Sequence, residues 1–388
     1  MRKVSNSLGS IFLIHPTRRS CGVRSMRIVL LLCMFLFPSI AYAENVMVWP
    51  EDTKWETRTP ESAGFDAPAL EAVLKFAGQQ DSTGVLVMRH GYIVAERYWQ
   101  GWNENTSDRI YSSSKSLVAT LIGMAIDDGK IKSVDQPAAD FVPAWQGTDK
   151  QAVTIRHMLS MTSGLGLAFD RKTLVPAGVD AHQLMGKAPL EHAPGTVWVY
   201  HTPAYRMLAR ILEEATGETL ADYQQRRLLG PLGMKHTNWE TLDAGHGRLN
   251  YLWMRGSVRD MARFGLFILR GGAWRGKQLV SRAFVAESTR PSQALNPSYG
   301  FLWWLNGQPS YMRPDGGGVR PGPMWPDCPA DAVGALGAYD KKIYVVPSLD
   351  LVVVRQGGGA YGGGDMAGVQ RFDNELLGGI CKALRNPK

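Results

Sequence analysis

The sequence predicts an α/β (α+β) fold: one antiparallel sheet assembled from both ends of the chain, flanked by helices, with a mostly helical region inserted between. Three observations predict it. "TGVLVMRHGYIVAERYWQG" (83–101) holds two β-rich runs around His90 and Gly91, the pattern of a hairpin. Late in the chain, "YGFLWWL" (299–305), "AVGALGAY" (332–339), "KIYVVP" (342–347) and "LDLVVVRQ" (349–356) are strand-like, and the turns between the last three are so short that they imply antiparallel neighbours. Between these blocks, apolar residues recur at helical spacing. The sheet is therefore expected from about 60–110 and 295–388, and the helical insertion over about 130–290.

The elements follow in order. Met26 and Arg27 precede an apolar run over 28–40, then the small-residue site "AYA" and Glu44. A basic start, a short apolar stretch and a cleavage site make 1–43 a signal peptide and leader. The run is too short to span a bilayer comfortably and holds Pro38. Residues 44–388 are then the working domain, periplasmic or secreted, with no stable membrane span once the leader is gone. The leader carries six basic residues and no acidic one, so the mature chain keeps only +2 of the formal +8. That balance does not argue for a nucleic-acid partner. Cys328 and Cys381 alone remain of the four cysteines, compatible with one disulfide in an oxidising compartment.

After the hairpin, "VATLIGMAIDD" reads as a buried helix stopped by Gly129. "TIRHMLSM", "PAYRMLARILEEATG", "LADYQQRRLLGPLGM" and "VRDMARFGLFILRGG" are helical, each punctuated by Gly or Pro or by polar turns. A last helix is expected over about Met366 to Leu384. Two glycine-rich stretches carry no nucleotide site. "GGAWRGKQ" has Gln278 where a magnesium-binding hydroxyl is needed. "GGGAYG" (357–362) has no second parallel strand after it.

The chemistry concentrates at "RIYSSSKSLVATLIGMAI". Ser112 and Lys115 form the one S-x-x-K of the chain. At i, i+3 on a helix the two side chains share a face. The helix start favours negative charge, including a developing alkoxide. Burial would lower the lysine's pKa until its amine can accept the serine's proton. The same residues also suit a plain helix entrance, with Ser112 to Ser114 as caps and Lys115 reaching to solvent. Spacing alone does not decide between the two.

The wider pattern resembles the serine β-lactamase-like family, which groups class C β-lactamases and penicillin-binding-protein-like hydrolases. "RIYSSSKSLVATLIGMAI", "TIRHMLSMTSGL", "PGTVWVYHTPAYRMLARILEEATG", "LLGPLGMKHT", "SVRDMARFGLFILRGGAW", "YGFLWW" and "IYVVPSLDLVVVRQGG" occur in that family's order. The look is nearest to its 6-aminohexanoate-dimer hydrolase and esterase branch. The resemblance implies a β-lactamase/transpeptidase-like fold, with Ser112 as the acylated nucleophile and Lys115 as its proton acceptor. It implies Tyr200 as the motif tyrosine that passes the proton to the leaving group. Thr202 stands where the family usually has Asn. Ala335, Leu336 and Gly337 fill the third motif, which usually begins with Lys or His. The backbone N–H groups of Ser112 and Ala338 would form the oxyanion hole.

Thr202, Ala335, Gly337 and Trp303 are the expected substrate contacts. Trp303, Trp304, Tyr299 and Trp198 would either line an acyl pocket or pack the core. A neutral third motif suits uncharged esters or amides, unless Arg313 or Arg320 supplies a cation from another direction. The expectation is thus an exported serine hydrolase of small esters or amides that needs no metal or cofactor. A β-lactamase or D-amino-acid peptidase stands second. A catalytically silent binder of cell-wall peptides is disfavoured, because binding alone would not need all of Ser112, Lys115 and Tyr200.

Overall fold

The computed structural model describes residues 47–51, 54–166, 180–362 and 371–385. The expected leader, 1–43, lies outside the described residues, as does the start of the expected last helix.

Helix α1 (Ala67–Gln79) is capped by Asp66, whose carboxylate accepts from the Ala69 N–H at 3.0 Å. Strands β1 (Ser82–Arg89) and β2 (Tyr92–Tyr98) form the expected hairpin. Both turn residues are left-handed, His90 at φ 55° and Gly91 at φ 83°, which matches the twist of paired strands. A short strand, β3 (Ser107–Arg109), leads into helix α2 (Ser114–Asp127). Helix α3 (Thr202–Thr216) ends on Gly217 at φ 75°. Strands β4 (Asn238–Gly245) and β5 (Arg248–Ser257) precede helix α4 (Val258–Leu269). Then come β6 (Trp304–Leu305), β7 (Val333–Gly337), β8 (Lys341–Val346) and β9 (Leu351–Gly357). The last helical segment covers 371–382.

The main sheet runs β2-β1-β9-β8-β7-β6, antiparallel throughout. The final strand β9 lies between the N-terminal hairpin and β8, with Val87 opposite Val353 and Val345 opposite Val352. Both ends of the chain thus build one sheet. Strands β8 and β9 are buried at every position, which requires cover on both faces. Helix α4 packs against β8 and β9, and α1 packs with the last helical segment. Gly265 lets α4 come close: a Cβ there would meet Val352 at 2.5 Å.

The structure departs from the sequence reading in two places. The mostly helical insertion also holds a hairpin that the sequence reading did not place: β4 and β5 pair and take β3 as third strand. Their turn, His246 at φ 55° and Gly247 at φ 74°, repeats the His-Gly signal of the first hairpin. Of 299–305, only Trp304 and Leu305 join the main sheet, because the chain doubles back through Leu302 at φ 59° and bridges Tyr299 to Trp304. No helix among the described residues is long and apolar enough to cross a membrane.

Candidate active site

The entrance to α2 is pinned from several sides. Arg109 makes a two-pronged pair with Glu240 on β4, closest at 2.7 Å, and Arg255 on β5 joins the same carboxylate at 3.1 Å. The Ile110 N–H donates to the Met254 carbonyl at 2.9 Å. Tyr111 then takes φ 47°, a strained conformation for an aromatic residue that persists only where surroundings impose it. Its ring lies against Trp253 and Tyr339 at 5.3 and 5.1 Å. Tyr111–Ser113 form a 3-10 turn, and the α-helix begins at Ser114.

The three serines do not cap this helix; no side-chain cap bond forms at its start. The Ser113 hydroxyl reaches the Ala335 carbonyl at 3.0 Å and the Lys341 carbonyl at 3.2 Å, tying α2 to β7 and β8. The Ser114 hydroxyl donates back to the Tyr111 carbonyl at 2.7 Å. Ser116 holds the Leu302 carbonyl at 2.7 Å. Ser112 is left over, and its Oγ accepts from Lys115 Nζ at 3.1 Å.

Lys115 does not reach solvent; it is 3% exposed. Its ammonium lies 4.5 Å from the Tyr205 ring centre and 5.1 Å from that of Tyr200. Burial, seconded by the charge of Arg206, brings its pKa down to about 7. A sizeable neutral fraction therefore exists at neutral pH. Tyr200 turns part of its ring to the pocket while its hydroxyl is enclosed beside Ser112. Burial pushes that phenol well above its ordinary range, and the Ser112 hydroxyl only partly offsets the effect. Tyr200 is thus a protonated phenol at neutral pH. Its ring is held by Trp304, stacked at 5.8 Å, and by Tyr299 and Trp198 at 6.2 and 6.4 Å.

Ser112, Lys115, Tyr200, Thr202 and Ala338 all line one cleft of about 440 Å³. Ala338 directly follows β7, just before Tyr339 and Asp340 turn the chain at φ 57° and 56°. Three expected contacts stand elsewhere. Trp303 is fully buried and stacked on Phe264 at 6.0 Å, so it packs the core. Trp198, Tyr299 and Trp304 grip Tyr200 rather than wall the cleft. Ala335 is a buried side chain whose carbonyl serves Ser113. Gly337 is a packing requirement: a Cβ there would sit 2.3 Å from the Ile110 carbonyl.

Sequence reading missed other cleft residues: Tyr205 and Arg206 from α3, His182, and Tyr251 and Trp253 from β5. The β5 pair was hidden because the stretch between the helices ending near Met234 and starting at Val258 was assigned no element. Tyr205 and Arg206 lay within a convincing amphipathic helix, where nothing distinguished them from its ordinary faces.

The sequence profile of the family described as Beta-lactamase matches residues 69–372. An uncharacterized protein of Alkalihalophilus pseudofirmus is 25% identical over 81% of this chain and 96% of its own length. Esterase EstB of Burkholderia gladioli is 30% identical over 39% of this chain, a match spanning 45% of the esterase. Among solved structures, one provisionally assigned as a 6-aminohexanoate-dimer hydrolase from Bacillus anthracis superposes with a TM-score of 0.66. It is 18% identical, over 87% of this chain and 89% of that one; that likeness is one of fold.

Proposed function

The chain belongs to the β-lactamase family and is a serine hydrolase, and on that footing we propose that it cleaves a small ester or amide through an acyl-enzyme at Ser112. The observation that carries the reading is the Lys115 Nζ–Ser112 Oγ contact of 3.1 Å, made by an amine with a pKa near 7. Lys115 takes the hydroxyl proton as Ser112 Oγ attacks the carbonyl carbon. The oxyanion faces the backbone N–H groups of Ser112 and Ala338, a pair of donors that side-chain drift at Ala335 does not remove. Tyr200, being protonated, is the acid: it gives its proton to the leaving group and regains one through Lys115. Water then hydrolyses the Ser112 ester.

Export belongs to the same proposal. The basic start, apolar run and "AYA" of the leader support cleavage after Ala43. The mature protein would begin at Glu44 and work in the periplasm or outside the cell.

A fluorophosphonate probe followed by mass measurement tests the nucleophile. The adduct should map to Ser112, and Ser112→Ala should lose both adduct and turnover. Wild-type turnover in Ser112→Ala would sink the assignment. No adduct on the folded wild-type protein would favour a silent binder.

A further inference from the structure

The cleft holds a cation that the proposed reaction does not use as a proton carrier. Arg206 leaves α3 half-buried, and its guanidinium lines the same cleft as Ser112. Burial pulls its pKa down, and no carboxylate counters the effect. Among the described residues, its guanidinium makes no hydrogen bond or ion pair. Its neighbours are the face of Trp253 at 5.9 Å and Tyr205. Most other part-buried or buried arginines are partnered. Arg109, Arg156, Arg227, Arg259 and Arg270 each meet a carboxylate at 2.5–2.8 Å. Arg89 and Arg355 donate to backbone carbonyls.

A desolvated charge with no partner is costly. It is compensated when an anion enters. No Asp or Glu lines the cleft among the described residues, so its charge comes from Arg206 and from the protonated fraction of Lys115, and it is positive. A guanidinium also offers a planar fork that matches a carboxylate.

We infer that Arg206 anchors a substrate carboxylate, and that the ester or amide this site cleaves carries one. The inference rests on the hydrolase reading above. It replaces the expectation of an uncharged substrate drawn from Ala335. The cation missing from β7 enters from α3, on another wall of the cleft. Arg206 is a specificity residue; its charge also depresses the pKa of Lys115.

Two matched ester pairs test it. Mono(4-nitrophenyl) glutarate against 4-nitrophenyl pentanoate puts the carboxylate on the acyl side. 4-Carboxyphenyl butyrate against phenyl butyrate puts it on the leaving side. Each kcat/KM is divided by the ester's own alkaline hydrolysis rate. The wild-type protein should prefer the anionic member of at least one pair by about tenfold or more, the size of a charge-assisted hydrogen bond. Arg206→Gln should bring that ratio close to one, and Arg206→Lys should keep part of it.

Fluorophosphonate labelling of Ser112 checks that each variant retains its site. Wild-type ratios near one for both pairs overturn the inference on their own, whatever the variants do. An unchanged preference in labelled Arg206→Gln overturns it as well. Failure of the wild-type protein to label or to cleave any ester sinks the hydrolase reading and this inference with it.

Discussion

Lys115→Met is expected to make the protein more stable and to abolish its turnover. Burial takes the lysine from its ordinary 10.5 to about 7, which corresponds to a penalty of about 4–5 kcal/mol for holding the charged form. Methionine has similar length and no charge to desolvate. It forfeits the bond to Ser112, about 1 kcal/mol, and the ammonium's attraction to the Tyr200 and Tyr205 rings, about 1 kcal/mol more. The net gain is about 2–3 kcal/mol, a few degrees in Tm.

The pH dependence identifies the cause. Below pH 7 the lysine is protonated in both states, and the folded state carries the full penalty. Between 7 and 10.5 the unfolded chain binds more protons than the folded one, so wild-type stability rises with pH. Above 10.5 the penalty is gone. The advantage of Lys115→Met should thus be largest at pH 7 and below and shrink toward pH 10. Thermal unfolding of both proteins at pH 6, 7, 8.5 and 10, with ester turnover beside it, measures this. A variant less stable at every pH, or one that keeps turnover, would show that Lys115 is no desolvated base.

Three further outcomes are expected. Tyr200→Phe should lower kcat about 10²- to 10⁴-fold while Ser112 still labels; near-normal kcat would remove Tyr200 as the acid. Gly337→Ala places a Cβ 2.3 Å from the Ile110 carbonyl, so it should displace the start of α2 and cut kcat/KM at least about tenfold. Wild-type activity in that variant would mean that the β7–α2 approach does not set the geometry. Cys328 and Cys381 are free thiols in side-chain contact. Mild oxidation should block alkylation of both and, in the chain-entropy model, stabilise by ~4 kcal/mol; two alkylatable thiols in oxidised, folded protein would contradict this.

Elements with strong local chemistry were legible. The first hairpin announced itself through His90-Gly91, and strands β7 to β9 through short turns between β-branched runs. The site was legible through motif positions: Ser112, Lys115 and Tyr200 keep the motif residue types, and they line one cleft with Thr202 and Ala338. What stayed hidden depends on three-dimensional neighbours. Trp303 and Trp304 are adjacent in sequence, yet one stacks on Phe264 and the other on Tyr200. The three serines looked alike, and only the packing around the entrance of α2, against β7 and β8, separates the bracing Ser113 from Ser112, the proposed nucleophile. The hairpin of β4 and β5 was missed although His246-Gly247 repeats the turn that located the first hairpin.

The two cations of the cleft are coupled, which links substrate recognition to catalysis. Lys115 faces Ser112, Tyr200, Tyr205 and Arg206, and His182 lines the same cleft. Of these, Arg206 is the charge that depresses the lysine after burial itself. A carboxylate seated on Arg206 cancels part of that field, so Lys115 becomes more basic once an anionic substrate binds. The free enzyme sets the acid limb of kcat/KM, and the complex sets that of kcat. With a neutral ester the two limbs should lie close together near pH 7. With the ester that engages Arg206, the kcat limb should move to higher pH while the kcat/KM limb stays. A merely structural Arg206 would leave both limbs the same for both esters. On the inference above, the half-buried arginine does two things with one charge. It adds to the burial that keeps the empty site's lysine near neutrality, and it should return proton affinity to that lysine when an anionic substrate arrives.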